Sequence, residues 1–153
     1  MFKPKDPSAG PGFTNGLSFR LESVGLNNMP GPQINNRAEL TAIFGALCFR
    51  EWYGERWENL VIATDSGYAV DGITSYIDGW AKGGWLTSKG KPVLNRDLGE
   101  AILVRLRYLR AHGTKVSFWH IAREWNEEAG AAAISAVQKE IPKGFVHHRG
   151  IVC

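Results

Sequence analysis

The 153-residue sequence has few cysteines, no long hydrophobic run and little excess charge. Its two cysteines, Cys48 and Cys153, lack the spacing of a metal site or a disulfide framework, which favours a reducing compartment. No apolar stretch reaches the roughly 20 residues that a membrane-spanning helix needs. The opening residues, MFKPKDPSAGPG, lack the apolar core of a signal peptide. We therefore expect an intracellular protein, with no indication of nucleus, cytoplasm or mitochondrion.

Hydrophobic residues make up 44% of the chain, which suits one globular domain with a sizeable core. Eighteen Lys and Arg against fifteen Asp and Glu give a formal net charge of +3. This small excess permits a polyanionic partner but does not require one. The expected organisation is an irregular segment at residues 1–16, one domain at 17–140 and a basic tail at 141–153.

The pattern of apolar residues predicts an α/β protein. Alternation over LSFRLES (17–23) and KVSFWHI (115–121) predicts half-buried strands, and NLVIATD (59–65) predicts a strand buried on both faces. Strands and helices that alternate along one chain are typical of an α/β sheet. The predicted helices run from Asn36, as N-cap, to Tyr53 and over residues 66–78, 96–113 and 125–140.

Two acidic residues are candidates for chemistry: Glu39 in the first predicted helix and Asp65 at the end of the central strand. Ligands of open α/β sheets gather outside the carboxyl ends of the strands. A carboxylate there and a second one on a neighbouring helix could hold a hard cation such as Mg²⁺. Taken alone, Glu39 is more simply explained as a solvated surface residue and Asp65 as a helix N-cap, so the wider context decides.

Four motifs supply that context, because NNRAELTAIFGAL, IATDSGYAVDGIT, GWLTSKGKPVLNRDL and FWHIAREWNEEAGAAA occur in this order. Together they resemble the ribonuclease H family, in particular its eukaryotic RNase H1-type domain, over about residues 17–138. The resemblance implies a ribonuclease H-like α/β fold with a mixed sheet flanked by helices. It also implies a monomeric endonuclease that hydrolyses the RNA strand of RNA–DNA hybrids with two Mg²⁺ ions, or Mn²⁺, as cofactor.

The resemblance implies roles for individual residues. Glu39 and Asp65 match two of the four catalytic carboxylates that hold the metal ions. Asn35 and Asn36 match residues that contact the minor groove and the RNA 2′-hydroxyl, the group that distinguishes RNA from DNA. For the two tyrosines of the DNA-strand channel, packing of a half-buried helix is an equal alternative. The residues implied to line that channel or to contact its phosphates are Tyr68, Tyr76, Ser88 and Asn95.

The sequence departs from the family pattern at the other two carboxylates. The first strand, which ends in Asp-Gly, and most of the second strand have no counterpart, so we expect the sheet of this chain to lack them. Gly130 stands at the last position, where NEEAD reads NEEAG. Glu127, one helical turn earlier, is a candidate replacement as a metal ligand. Ile34 stands where a Thr is expected, and the loop before the last helix lacks the catalytic histidine.

Two matched carboxylates leave most of the charge of two divalent ions without neutralisation. Because such ions lie about 4 Å apart and repel each other, we expect weakened metal binding and impaired hydrolysis. Two hypotheses follow: an impaired ribonuclease H-type hydrolase, and a catalytically inactive module that binds RNA–DNA hybrids. A purely structural protein is less favoured, since the substrate-reading residues are all present.

Overall fold

The computed structural model describes residues 18–27, 29–30 and 34–147. Two parallel strands with helices around them make up this part of the chain, which confirms the predicted α/β class. None of the described helices is both long and apolar enough to cross a bilayer. In chain order the elements are α1 (Asn35–Cys48), β1 (Asn59–Thr64), α2 (Gly67–Asp71), a π-helical segment (Gly72–Tyr76), α3 (Ile77–Lys82), α4 (Arg96–Ala111), β2 (Lys115–His120), a 3₁₀ turn (Arg123–Trp125) and α5 (Glu127–Ala136).

Strands β1 and β2 pair in parallel, and the helices between them supply the crossover that parallel pairing needs. Both strands therefore end at the same edge of the sheet, and Asp65 directly follows β1 at that edge. Alternate residues turn one face of the sheet towards the helices. The residues that pack there against the core are Leu60, Ile62, Val116 and Phe118.

Helices α1 and α4 form most of the core by packing their apolar faces against each other. Burial of a large aliphatic side chain stabilises the folded state by about 1.5–3 kcal/mol. The α1–α4 contact therefore fixes the position of α1, which carries Glu39, relative to the loop before α4. The fully buried side chains of this core include Leu47, Leu98, Ile102 and Leu109.

A tight contact between Trp85 and Gly99 attaches the loop at 83–95 to α4. Trp85 is buried, and a Cβ atom at position 99 would lie 2.7 Å from Cζ3 of its indole ring. Real Cβ atoms do not approach so closely, so the indole fits only because residue 99 is glycine. Packing thus sets the place of the loop that carries Ser88 and Asn95.

The ends of the described chain lie against each other next to α1. Arg20 donates a hydrogen bond from Nη1 to the carbonyl of Val137 at 2.7 Å. Lys139 donates from Nζ to the hydroxyl of Ser18 at 3.0 Å. Phe145 packs on Phe44 of α1 with ring centroids 5.8 Å apart. The segment that follows α5 is therefore held both to residues 18–20 and to α1.

The structure corrects the predicted strands. Residues 18–23 form no strand, and Val24 makes only an isolated antiparallel bridge with Pro30. β1 is not buried on both faces, because Val61 is 45% exposed. The helical core covers only the face that carries Leu60 and Ile62.

The predicted ends of α1 are wrong at both sides. The helix begins at Asn35, with Ile34 in the N-cap position, instead of being capped by Asn36. It ends at Cys48 instead of Tyr53, because the chain folds back and the indole Nε1 of Trp52 donates to the carbonyl of Ala46 at 3.1 Å.

The remaining predicted helices occur with shifted boundaries. The helix predicted at 66–78 runs from Gly67 to Lys82 and contains a π-helical segment. The other two are shorter than predicted, ending at Ala111 and running over Glu127–Ala136.

Candidate active site

The carboxylate of Glu39 lies beside the residues that follow β1. Glu39 projects from α1 and accepts a hydrogen bond from the hydroxyl of Ser66. The oxygen of Ser66 also accepts from the backbone N–H of Ala69 at 3.2 Å, which makes Ser66 the N-cap of α2. Since Ser66 is adjacent to Asp65, this one buried serine brings the two predicted carboxylates to the same edge of the sheet.

Asn126 holds the second carboxylate. Its Nδ2 donates to Oδ1 of Asp65 at 2.6 Å, so the residue before α5 is tied to the end of β1. A hydrogen bond to a charged acceptor is about twice as strong as a neutral one, and it orients the carboxylate. Sequence reasoning missed Asn126. Its position directly before the helix in NEEAG is nevertheless one where a polar side chain often makes a structural hydrogen bond.

The described residues do not complete a site for two divalent ions. Within 18–27, 29–30 and 34–147, no three His, Cys, Asp or Glu side chains are grouped so that they could hold a metal ion. Glu127 is exposed at the start of α5. Gly130 has open space where a Cβ would lie. Two carboxylates suit one hard, oxygen-binding cation better than two, and the role of Glu127 stays a prediction.

Asn35 and Asn36 form the first turn of α1, four and three residues before Glu39. Asn35 is exposed and Asn36 is half-buried. No side chain in the described residues caps this helix end, and Ile34 in the N-cap position cannot do so. Arg37 and Ala38 donate their backbone N–H groups to the carbonyl of Ile34, so the groups that this turn offers an acceptor are the N–H groups of Asn35 and Asn36 and the amide of Asn35.

Tyr68 and Tyr76 lie on the helical run that follows Asp65. Tyr76 is 55% exposed and stacks on Trp80, with ring centroids 5.7 Å apart and an interplanar angle of 24°. Tyr68 is also exposed and borders a shallow cavity that is further lined by Trp85 and Asn95. Accessible aromatic faces of this kind can pack on a sugar or a base.

Ser88 occupies an exposed turn between Leu86 and Pro92, which form an isolated antiparallel bridge. Lys89 and Lys91 are exposed on the same turn. The turn thus carries a hydroxyl and two ammonium groups, which are suitable for contacts to phosphate groups.

Asn95 lies between this turn and α4, in the left-handed backbone region with φ of 56°. Its Oδ1 accepts a hydrogen bond from Nη1 of Arg37 at 3.3 Å. Its Nδ2 is buried and has no partner among the described residues. Asn95 therefore has an unused donor on the border of the cavity that Tyr68 also lines.

Arg37 forms a buried ion pair with Asp97, with two hydrogen bonds at 2.7 and 3.0 Å. Burial alone would raise the pKa of Asp97. The hydrogen bond and charge of Arg37, with the backbone N–H groups of Leu98 and Leu26, outweigh that effect and lower the pKa of the carboxyl below its usual range. Sequence reasoning missed this pair, although both residues lie within the family motifs: Arg37 in NNRAEL and Asp97 in NRDL.

Comparison with known proteins agrees with the geometry. The RNase H family model matches residues 4–138. A ribonuclease H of Geotalea uraniireducens is 35% identical over 124 residues, which cover 76% of this chain and 78% of the relative. A ribonuclease H of Zymomonas mobilis is 37% identical over 92 residues, covering 60% and 56%. Human ribonuclease H1 is 40% identical over 91 residues, covering 60% of this chain and 30% of that protein.

The family match extends over most of the chain, and the fold and the motifs lead to the same conclusion. The chain spans less than two thirds of the Zymomonas and human relatives. Members of this family act on nucleic acids and generally use divalent metal ions. The predicted resemblance is confirmed, and this chain belongs to the ribonuclease H family.

Proposed function

We propose that this chain hydrolyses the RNA strand of RNA–DNA hybrids, with an activity weakened by an incomplete set of carboxylates. The observation that carries the proposal is the placement of Glu39 and Asp65 at the carboxyl end of β1. Ser66 and Asn126 orient the two carboxylates. Oriented carboxylates at this edge of a sheet are suited to hold a cation and to direct charge in a reaction.

Divalent ions supply a ribonuclease H reaction with an activated water and with charge stabilisation of the leaving oxygen. Because the described residues offer no third ligand, we propose that Mg²⁺ binds weakly, with Mn²⁺ as the alternative ion. The contribution of this chain's own residues is then to fix the two carboxylates and to bind the substrate beside them.

The substrate side of the proposal rests on residues of α1, of the helical run after Asp65 and of the loop before α4. Asn35 and Asn36, at the uncapped start of α1, are suited to the RNA strand and its 2′-hydroxyl. The exposed rings of Tyr68 and Tyr76 are suited to the sugars of the DNA strand. Ser88 and Asn95 are proposed contacts to that strand's phosphates. The intracellular setting and the monomeric state stay predictions.

The second candidate function is a module that binds hybrids without cleaving them. It is favoured by one observation: the described part of the chain contains no group of three metal-ligating side chains. In this reading the groups around the carboxylates bind the duplex, and the carboxylates no longer support hydrolysis.

Cleavage of a labelled RNA–DNA hybrid, measured over a range of Mg²⁺ and Mn²⁺ concentrations, tests the proposal. We expect slow cleavage by the wild-type chain and none by Asp65→Asn. The matched control is Asp78→Asn, an exposed acid on α3 that pairs only with Arg107 among the described residues and should cleave like wild type. Hybrid binding without cleavage would favour the inactive module, and absence of both would reject both functions.

A further inference from the structure

The two ends of the Asn95 amide have different surroundings. Arg37 has only donors on its guanidinium group, so the amide atom that it contacts must be the oxygen. This contact turns Nδ2 away from the arginine, where it is buried without a partner in the described part of the chain. A single arginine thus decides which atom of the amide is left without a partner.

Arg37 is itself held in place. It is 4% exposed, and its guanidinium group makes the paired contact with Asp97 that a planar fork allows. Gly25 lies over the ion pair, where a Cβ atom would be 2.5 Å from Oδ2 of Asp97 and 2.6 Å from Nη2 of Arg37. The loop before α1, the helix α1 and the start of α4 therefore enclose the pair from three sides.

The backbone of Asn95 is also fixed. Its φ of 56° lies in the left-handed region, which asparagine adopts more readily than most residues. Glycine would adopt this backbone even more easily, so the amide is the reason for an asparagine here. A buried donor that lacks an acceptor is costly, and an acceptor on a ligand would satisfy it.

We propose that Arg37, anchored by Asp97, is a positioning residue that presents Nδ2 of Asn95 to an acceptor oxygen of bound nucleic acid. A backbone phosphate oxygen has the matching chemistry. The inference rests on the proposed function for the identity of the ligand. Arg37 acts through Asn95 and not by its own charge, because it is buried and neutralised by Asp97.

A double-mutant cycle on the full chain tests this role. Affinity for a fluorescein-labelled RNA–DNA hybrid is measured by anisotropy for wild type, Arg37→Lys, Asn95→Gly and the double variant. Asn95→Gly keeps the left-handed backbone and removes only the amide. We expect each single variant to bind about five- to tenfold more weakly, which is the loss of one hydrogen bond. The double variant should bind no more weakly than Asn95→Gly. If its loss of affinity instead equals the product of the two single losses, the residues act independently and the proposal is overturned.

A second readout does not need the hybrid. The side-chain amide signals of Asn95 in a ¹⁵N NMR spectrum are identified by their absence in Asn95→Gly. We expect Arg37→Lys to shift them and to speed their exchange with solvent. Arg105→Lys, at an arginine that bonds the carbonyls of Leu47 and Arg50 far from Asn95, is the matched control and should leave them unchanged.

The two readouts separate failure of the inference from failure of the proposed function. A wild-type chain that binds no hybrid would reject the proposed ligand, and the amide signals would still decide whether Arg37 fixes Asn95. Unchanged signals in Arg37→Lys would overturn the positioning role. If Arg37→Lys does not fold, Asp97→Asn, which keeps the arginine and loosens its anchor, takes its place in both measurements.

Discussion

At position 130 the chain has a glycine in α5, one turn after the asparagine that holds Asp65. Nothing lies within 4 Å of a Cβ built there, so a side chain fits without any shift of its neighbours. An aspartate would add a negative charge to α5, the helix whose preceding residue is bonded to Asp65, at the position where the ribonuclease H pattern has an acid. It would also lie near the start of the helix, where the macrodipole favours negative charge.

We therefore predict that Gly130→Asp raises cleavage of an RNA–DNA hybrid at limiting Mg²⁺ by on the order of tenfold or more, because cation affinity grows with ligand charge. Gly130→Asn has the same size without the charge and is the control. The measurement is initial cleavage rate against Mg²⁺ concentration. Equal rates for the two variants would show that the site does not use a charge at this position.

A second prediction at the scale of single residues concerns Asn126. Asn126→Ala removes the hydrogen bond to Asp65 and leaves that carboxylate without its orienting donor. We expect cleavage to fall by about ten- to a hundredfold, the usual effect of losing a group that orients a ligand, while the melting temperature changes little. Glu128→Ala, an exposed neighbour on α5, is the control and should leave the rate unaffected.

At the scale of elements, the ion pair between Arg37 and Asp97 joins α1 to the start of α4. The pKa of Asp97 is lowered in the folded chain, so its charged form stabilises the fold at neutral pH. That stabilisation is lost as the pH falls below about 4, the ordinary aspartate value, towards the lowered one.

We predict that the urea midpoint of wild type decreases more steeply with acid below about pH 4 than that of Asp97→Asn. Asp78→Asn removes the acid of an exposed ion pair and should keep the wild-type slope. Urea unfolding at a series of pH values gives the comparison. Parallel profiles for wild type and Asp97→Asn would show that the ion pair does not couple the two helices.

A further prediction for an element follows from the contact of Trp85 with α4. Gly99→Ala should lower the free energy of unfolding by about 1–3 kcal/mol, because overpacking against the indole exceeds the gain in helix propensity. Gly79→Ala, on α3 with nothing within 4 Å of the added Cβ, should instead stabilise the chain by up to about 1 kcal/mol. Thermal unfolding of both variants measures these changes in stability. Stabilisation by Gly99→Ala would contradict the packing argument.

The sequence predicts elements better than it predicts contacts. Helices and strands around Glu39 and Asp65 follow from local periodicity, and the family motifs assign both residues to one site. Asn126 and Arg37 escaped prediction because they act on partners 61 and 58 residues away in the chain. Only the folded chain brings such residues together, so a local pattern can mark Asn126 as a polar residue at a helix start but cannot name its partner.

The strand predicted at 17–23 is wrong over the described residues 18–23, for a related reason. Alternation shows that one side of a segment is buried, but it does not show what covers that side. Phe19 lies against Gly45 of α1, with its ring 3.4 Å from where a Cβ would be. Arg20 bonds the carbonyls of Val137 and Lys139 instead of a neighbouring strand. Side-chain contacts with distant parts of the chain thus hold this segment in place without any pairing to a neighbouring strand.

At the scale of the whole molecule, these contacts make the two ends of the described chain part of one unit with the core. Phe145 is half-buried against Phe44, and the backbone N–H of Val146 donates to the carboxylate of the buried Glu22 at 3.2 Å. The segment after α5 is therefore held to α1 through Phe145 and to residue 22 through the backbone of Val146. Its contribution to stability can be measured by a single substitution.

We predict that Phe145→Ala lowers the free energy of unfolding by about 1–3 kcal/mol, since a partly buried aromatic ring leaves the core surface of α1. Ile141→Ala, at an exposed residue of the same segment, should change it by less than about 0.5 kcal/mol. Urea unfolding followed by tryptophan fluorescence provides both values, and limited proteolysis reports opening near residues 141–147. If Phe145→Ala accelerates proteolysis there without lowering the unfolding midpoint, the segment opens independently of the core and the chain is not a single cooperative unit.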